Sequence, residues 1–244
     1  MKLRLTVAYD GTGFSGWQSQ PDGNTVQDHL EKAFAALCPG RTAVHGAGRT
    51  DAGVHAEAQC AHAEVPDGRL ALAGWRNALN AHLPAEIRVM GVRRVPQDFH
   101  ARFSARGKTY RYTIWDGPVA PPLENNRLWH VPQALDFDSL LAACALFTGT
   151  HDFAAYSAKR SKQPESTVRT ITSLSVARRG SRITLTFSGD GFLYKMVRML
   201  AGAAVRCAMG KMPLDEVAAR LRDGSPRMTQ VAPACGLCLL RVSY

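Results

Sequence analysis

Along this chain the apolar residues switch repeatedly between a spacing of two, which suits a half-buried strand, and a spacing of about 3.6, which suits a helix. Leu3, Leu5, Val7 and Tyr9 alternate with polar or small residues and predict a strand. Val26, Leu30, Ala33, Phe34 and Leu37 then share one helical face, in a segment that opens near Asn24-Thr25 and stops at Pro39-Gly40. A strand over Gln59 to Val65, a helix from about Leu70 to Leu83 and a strand over Ile87 to Val92 follow. Leu72, Trp75, Leu79 and Leu83 are the expected buried face of that helix.

The pattern restarts near Arg102 to Lys108. Tyr110 to Trp115 reads as a strand, Pro118 to Pro122 as a loop, and Asp138 to Phe147 as a helix burying Leu140, Leu141, Cys144 and Phe147. His151 to Ser166 is polar and is expected to be a flexible loop. Strands over Val168 to Val176 and Arg182 to Phe187 meet at Arg179-Gly180. A long helix from about Phe192 to Met209, a shorter one from Pro213 to Gly224, and a strand from Leu237 to Val242 close the chain.

Strand, helix, strands, helix, strand thus occurs twice, without a repeat in the sequence itself. The order predicts an α+β fold of two ferredoxin-like (split βαβ) halves, residues 1–104 and 105–244. Their mixed or antiparallel sheets are expected side by side as a central sheet, with helices on one face and an active-site cleft between the halves. A chain of 244 residues suffices for either one large or two small cores. No apolar run approaches the roughly 20 residues of a membrane span. The first residues enter a strand pattern at once, without a signal-peptide core, so a cytoplasmic protein is expected. The six cysteines lie mostly in apolar stretches, as reduced core thiols do; Cys235 and Cys238 have a metal-like spacing but no second ligand pair nearby.

Charge narrows the class of partner. The formal net charge is +10, and Arg greatly outnumbers Lys. A planar guanidinium binds phosphate through two bonds and stacks on bases, so the bias points to nucleic acid. The segment His100, Arg102, Phe103, Arg106, Lys108, Tyr110, Arg111, Tyr112 interleaves cations with aromatics, as combined phosphate contact and base stacking require. Further clusters stand at Arg93-Arg94, at Lys159-Arg160 with Lys162, and at Arg178-Arg179 with Arg182.

One carboxylate has the setting of a reactive group. In Gly48-Arg49-Thr50-Asp51-Ala52-Gly53-Val54-His55-Ala56, glycines flank Asp51 and leave room for a ligand to reach the main chain. Arg49 and nearby loop N–H groups would favour the charged form that a nucleophile or base needs; taken alone, the stretch also fits an ordinary surface turn. Gly11-Thr12-Gly13-Phe14-Ser15-Gly16 spells a dinucleotide fingerprint, yet Pro21, Asp22 and Gly23 intervene before the helix, so no nucleotide cofactor is expected there. In the long helix, Met196, Met199, Leu200, Ala203 and Cys207 form an apolar stripe, while Lys195, Arg198, Gly202 and Arg206 follow another face that reads as solvated or phosphate-binding.

The Asp51 motif, Phe99-His-Ala-Arg102-Phe-Ser-Ala105, Tyr110-Arg-Tyr112, Gly191-Phe-Leu-Tyr-Lys-Met196-Val-Arg198 and Gly236-Leu237 together resemble the tRNA pseudouridine synthase A family, in the right order along the whole chain. One position departs: the family has Gly-Gln where this chain has Ala58-Gln59. The resemblance implies an isomerase of RNA modification and tRNA processing that converts uridine to pseudouridine in the anticodon arm, at tRNA positions 38, 39 and 40. It implies a homodimer without metal or organic cofactor. Asp51 matches the nucleophile, Arg198 the residue paired with it, Tyr110 the aromatic on the uracil and Leu237 an apolar wall of the base pocket. Arg49 resembles the residue that holds the target nucleotide out of its stack. His100, Arg102, Arg106, Lys108, Lys159, Arg160 and Lys195 would then grip the RNA backbone. The alternatives are a pseudouridine synthase acting on another RNA, and a noncatalytic RNA-binding protein using the same basic residues.

Overall fold

Leu3, Leu5, Val7 and Tyr9 are all buried on one side of the first strand, and that alternation sets the register of everything paired with it. The computed structural model describes residues 1–38, 40, 42–159 and 165–244. It divides into one unit of Met1–Arg106 with Cys238–Tyr244 and a second of Gly107–Leu237.

The first unit runs β1 (Lys2–Tyr9), α1 (Val26–Leu37), β2 (Val44–Gly46), β3 (His55–Glu64), α2 (Leu72–His82) and β4 (Ile87–Val95). β1 lies between β4 and β3, antiparallel to both, and β2 pairs antiparallel with β3. The resulting order β4-β1-β3-β2 is that of a split βαβ sheet. Alanines on β3 oppose the large residues of β1, Ala63 facing Leu3 and Ala61 facing Leu5. Space remains for Val26, Leu30 and Phe34 of α1 and for Trp75 and Leu79 of α2, all fully buried; the Phe34 and Trp75 rings lie 6.0 Å apart. Thr25 caps α1 in a reciprocal box with Asp28: the Asp28 N–H donates to the Thr25 hydroxyl at 3.2 Å, and the Asp28 carboxylate accepts from the Thr25 N–H.

The second unit runs β5 (Gly107–Trp115), β6 (Trp129–His130), α3 (Phe137–Leu146), β7 (Gly149–Asp152), β8 (Val168–Arg179), β9 (Arg182–Gly189), α4 (Met196–Ala208) and α5 (Leu214–Asp223). Its strands pair in the order β5-β9-β8-β7 with antiparallel neighbours, and β6 lies parallel along β5. Ile183, Leu185 and Phe187 of β9 are fully buried, as are Leu140 and Phe147 at α3 and nearly the whole of α4. The closing strand β10 (Leu237–Ser243) pairs parallel with the start of β3, Cys238 opposite His55 and Leu239 opposite Ala56.

The fold is α+β as expected, with local differences. β3 begins at His55 rather than Gln59, because the motif Ala56 to Ala58 lacks the β-branched residues that advertise a strand. Leu72 and Leu141 are each 39% exposed. Leu72 opens its helix beyond the core, and Leu141 sits a third of a turn off the Leu140–Cys144 line. α4 starts at Met196 instead of Phe192, since Lys195 is left-handed at φ 60° and a helix cannot run back through it. The stretch from His151 was expected to be a flexible loop, yet its first part is β7 and a short 3₁₀ turn over Ala154–Tyr156. Phe153 and Tyr156 are fully buried and anchor it, Tyr156 lying edge-on to Phe147 at 5.5 Å. Residues 160–164 lie outside the described residues. No described helix is long and apolar enough to cross a membrane.

Thr25→Ala removes a cap and leaves the α1 core intact, so it should lower the unfolding free energy by about 1 kcal/mol in a denaturant titration. An unchanged midpoint would contradict the capping assignment.

Candidate active site

The loop that carries Asp51 is shaped from below by buried side chains and from the side by glycines. Tyr9, on the core face of β1, holds its hydroxyl 2.8 Å from that of Thr50, and burial pushes the phenol's pKa well up, so the group stays neutral and available for hydrogen bonding. Gln59 is fully buried in β3; its amide donates to the Gly48 carbonyl at 3.0 Å, and its side chain also reaches Tyr9. Gln59 follows a register shift in β3, where Val7 pairs with Gln59 but Tyr9 with Ala56, and its side chain is turned under the loop. The Asp51 carbonyl accepts the Val54 N–H at 3.2 Å, closing a turn that contains Gly53 at φ 78°.

The Gly11 to Gly16 stretch is the lateral wall of this turn. The Trp17 N–H donates to the Thr50 carbonyl at 3.0 Å. Gly16 has φ 95°, and a Cβ there would lie 2.7 Å from the Thr50 oxygen; a Cβ on Gly11 would overlap the Val54 carbonyl. Gly13 has open space around it. Gly11 and Gly16 therefore serve backbone-to-backbone packing against the aspartate turn, and Gly13 does not. His55 Nδ1 accepts the Gly11 N–H at 3.1 Å and ties the two loops together. Asp51 itself is half-buried. Arg49 is exposed, and its Nε donates to Gln18 at 3.1 Å, which directs it toward the start of α1.

In the second unit, Tyr110 is buried on β5 with Phe192 edge-on at 5.2 Å. Arg198 on α4 donates from Nε to the Ala232 carbonyl at 2.8 Å, and the Ala232 N–H returns to the Arg198 carbonyl. The Tyr112 hydroxyl donates to the Pro233 carbonyl at 2.8 Å. Gly236 packs so closely on Tyr112 that a Cβ would come within 2.7 Å of the ring. These contacts clamp residues 232–236 between β5 and α4 and fix Leu237, which is 7% exposed, at the end of the segment. The face Arg198, Gly202, Arg206 was read as solvated or phosphate-binding. It is covered instead: Gly202 abuts the Gln230 carbonyl, and Arg206 bonds Gln230 and the Lys211 carbonyl.

Of the remaining sequence candidates, His100, Arg102 and Arg106 belong to the first unit and Lys108, Lys159 and Lys195 to the second; Arg160 lies outside the described residues. Arg102, Arg106 and Lys159 are exposed, whereas His100, Lys108 and Lys195 are half-buried. Tyr9, Gln59 and Ala232 were not legible as site residues, because their roles depend on strand register and a long-range strap; Tyr112, read in the cation–aromatic run as a stacking ring, is instead fully buried against that strap. The Gly immediately before Leu237 is the one local signal that a close approach was required. Among the described residues no three His, Cys, Asp or Glu side chains are arranged to hold a metal ion.

The sequence profile of the family described as tRNA pseudouridine synthase matches residues 5–104 and 143–244. A protein named tRNA pseudouridine synthase A from Akkermansia muciniphila is 47% identical over all of this chain and 95% of its own length. One of the same name from Geobacter sp. (strain M21) is 42% identical over 99% of this chain and 98% of its own. Another from Solidesulfovibrio magneticus is 47% identical over all of this chain and 91% of its own.

Gly16→Ala should cost about 2 kcal/mol of stability through its positive φ and its clash with Thr50, while Gly13→Ala should be near neutral, both read from thermal or denaturant unfolding. Equal effects would contradict the packing. A pH dependence follows from His62, whose imidazole burial pushes down to about 4, His100, His45 and Lys2 adding to the effect and Glu64 opposing it. The unfolded chain takes up that proton near 6.5, so stability should fall as the pH drops from about 6.5 to about 4. His62→Gln should flatten that decline, and an unaltered slope would refute the assignment.

Proposed function

The chain belongs to the tRNA pseudouridine synthase family, isomerases that convert uridine to pseudouridine, and from that premise we propose that it modifies tRNA at positions 38, 39 and 40 of the anticodon arm, with Asp51 as its nucleophile or base. The observation that carries this reading is the Asp51 turn, a half-buried carboxylate on a loop whose backbone is fixed by Tyr9, Gln59 and the Gly11 to Gly16 wall. A carboxylate held this way loses little entropy when it meets a reacting carbon.

The reaction breaks the bond from ribose C1′ to N1 of uracil and forms one from C1′ to C5. The C5 proton leaves and N1 gains one, so no external atom is consumed. Asp51 can serve by attacking C1′, by removing a ribose proton to give a glycal, or by adding to the base, and each route needs its anion. A uracil inside a stem cannot turn over, so the uridine must first leave the stack, with Arg49 holding it out. In this proposal Tyr110 packs on the ring, Leu237 walls it, and Arg198 balances the charge of Asp51. The strap contacts of Arg198 and Tyr112 support that assignment because they orient a guanidinium and Leu237 together. Arg102, Arg106, Lys108, Lys159, Lys195 and His100 supply backbone contacts, and the enzyme works as a homodimer in the cytoplasm without metal or nucleotide cofactor.

Asp51→Asn should keep tRNA binding and lose tritium release from tRNA labelled at uridine C5. Release at a rate near that of the parent would exclude the nucleophile and base roles alike. Affinity for tRNA should also fall steeply with salt, since phosphate contacts release counterions, and a flat titration would contradict the backbone grip.

A further inference from the structure

Four rings follow one another through the first unit and end in solvent. The centroids of His45 and His62 are 5.0 Å apart and nearly parallel; His62 and His100 are 4.6 Å apart, and His100 and Phe103 are 4.4 Å apart at 35°. Within the column His62 is 4% exposed, whereas Phe103 is 76% exposed. A single exposed phenylalanine ordinarily needs no explanation. This one is held by a rigid turn. His100 Nδ1 accepts the N–H groups of both Arg102 and Phe103, at 3.1 and 3.3 Å, so the backbone wraps the imidazole edge. The His100 N–H donates to the Ser104 hydroxyl, the Ala101 N–H to His62 Nδ1, and the Tyr244 hydroxyl to the Ala101 carbonyl.

The surroundings are cationic. The Arg102 guanidinium lies 5.6 Å from the Phe103 ring centre. Behind the column, on the face of the sheet opposite Leu3 and Leu5, Arg93, Arg4 and His62 stand side by side across β4, β1 and β3. Arg4 covers the Tyr244 ring at 4.6 Å. His100 is pushed down from its usual pKa by burial and by His45, Lys2 and Arg102, so its ring stays a neutral acceptor at working pH.

We propose that Phe103 is a stacking platform for one unpaired base of the RNA substrate, with Arg102 placed to meet the phosphate beside that base. The inference rests on the RNA-modifying role above and adds a binding site outside the Asp51 loop. An aromatic face on a pre-ordered turn costs little entropy to use, and the flanking cations favour a nucleotide over an apolar protein surface. Stacking on an aromatic side chain tolerates any base, so this contact adds affinity and not sequence preference.

The test compares Phe103→Ala, Phe103→Leu and Phe103→Trp with the parent, using an unmodified tRNA transcript. Phe103 is exposed, so all three should fold with unchanged melting temperatures. Alanine and leucine should each weaken tRNA binding and raise KM about tenfold with little change in kcat, because both lose the π face. Tryptophan should keep parental affinity, and its added emission should be quenched on tRNA binding. Leucine binding as well as the parent would overturn the proposal, as would equal affinity for all three. A fall in sedimenting mass without RNA in Phe103→Ala would assign the ring to contact with a second copy and also overturn it. If the parent releases no tritium yet Phe103→Ala binds tRNA more weakly, the platform stands and the isomerase reading fails.

Discussion

The geometry of the Asp51 loop depends on main chain meeting main chain. Gly11 and Gly16 bring one loop to the carbonyls of Thr50 and Val54 at distances no side chain would permit. Buried polar groups then hold the loop from beneath, Tyr9 through the Thr50 hydroxyl and Gln59 through the Gly48 carbonyl. A loop with its backbone satisfied on two sides has little freedom left.

A similar economy governs the second unit. Arg198 and Tyr112 both spend a donor on the carbonyls of residues 232 and 233, and Gly236 lets the strap lie flat on an aromatic ring. The helix bearing Arg198 is apolar nearly all round, so its arginines are defined by what covers them. Basic residues on such a helix act as structural ties as well as charges, and removing one would loosen the strap that presents Leu237.

Much of this was legible in the sequence where period and chemistry agreed. The alternation of Leu3 to Tyr9, the cap at Thr25 and the stop at Gly224 each announce their element, because each rests on local physics. Asp51 stood out by its glycines and, through the family resemblance, by its motif. The rest depended on contacts distant along the chain. Nothing local at Arg198 or Arg206 tells that residues 230–232 lie over them. The polar stretch after His151 hid two anchors, Phe153 and Tyr156, and the start of β3 was masked by small residues. Lys195, left-handed without being glycine, delays the start of a helix whose apolar pattern begins at Phe192.

The central claim is that the Asp51 side chain meets the reacting nucleotide. A structure of the Asp51→Asn protein bound to an anticodon stem-loop tests it most directly. The account predicts a uridine turned out of its stack, with a ribose or base carbon within about 3.5 Å of the residue 51 side chain. A uridine still stacked in the stem, or one flipped into a site remote from residue 51, would contradict it.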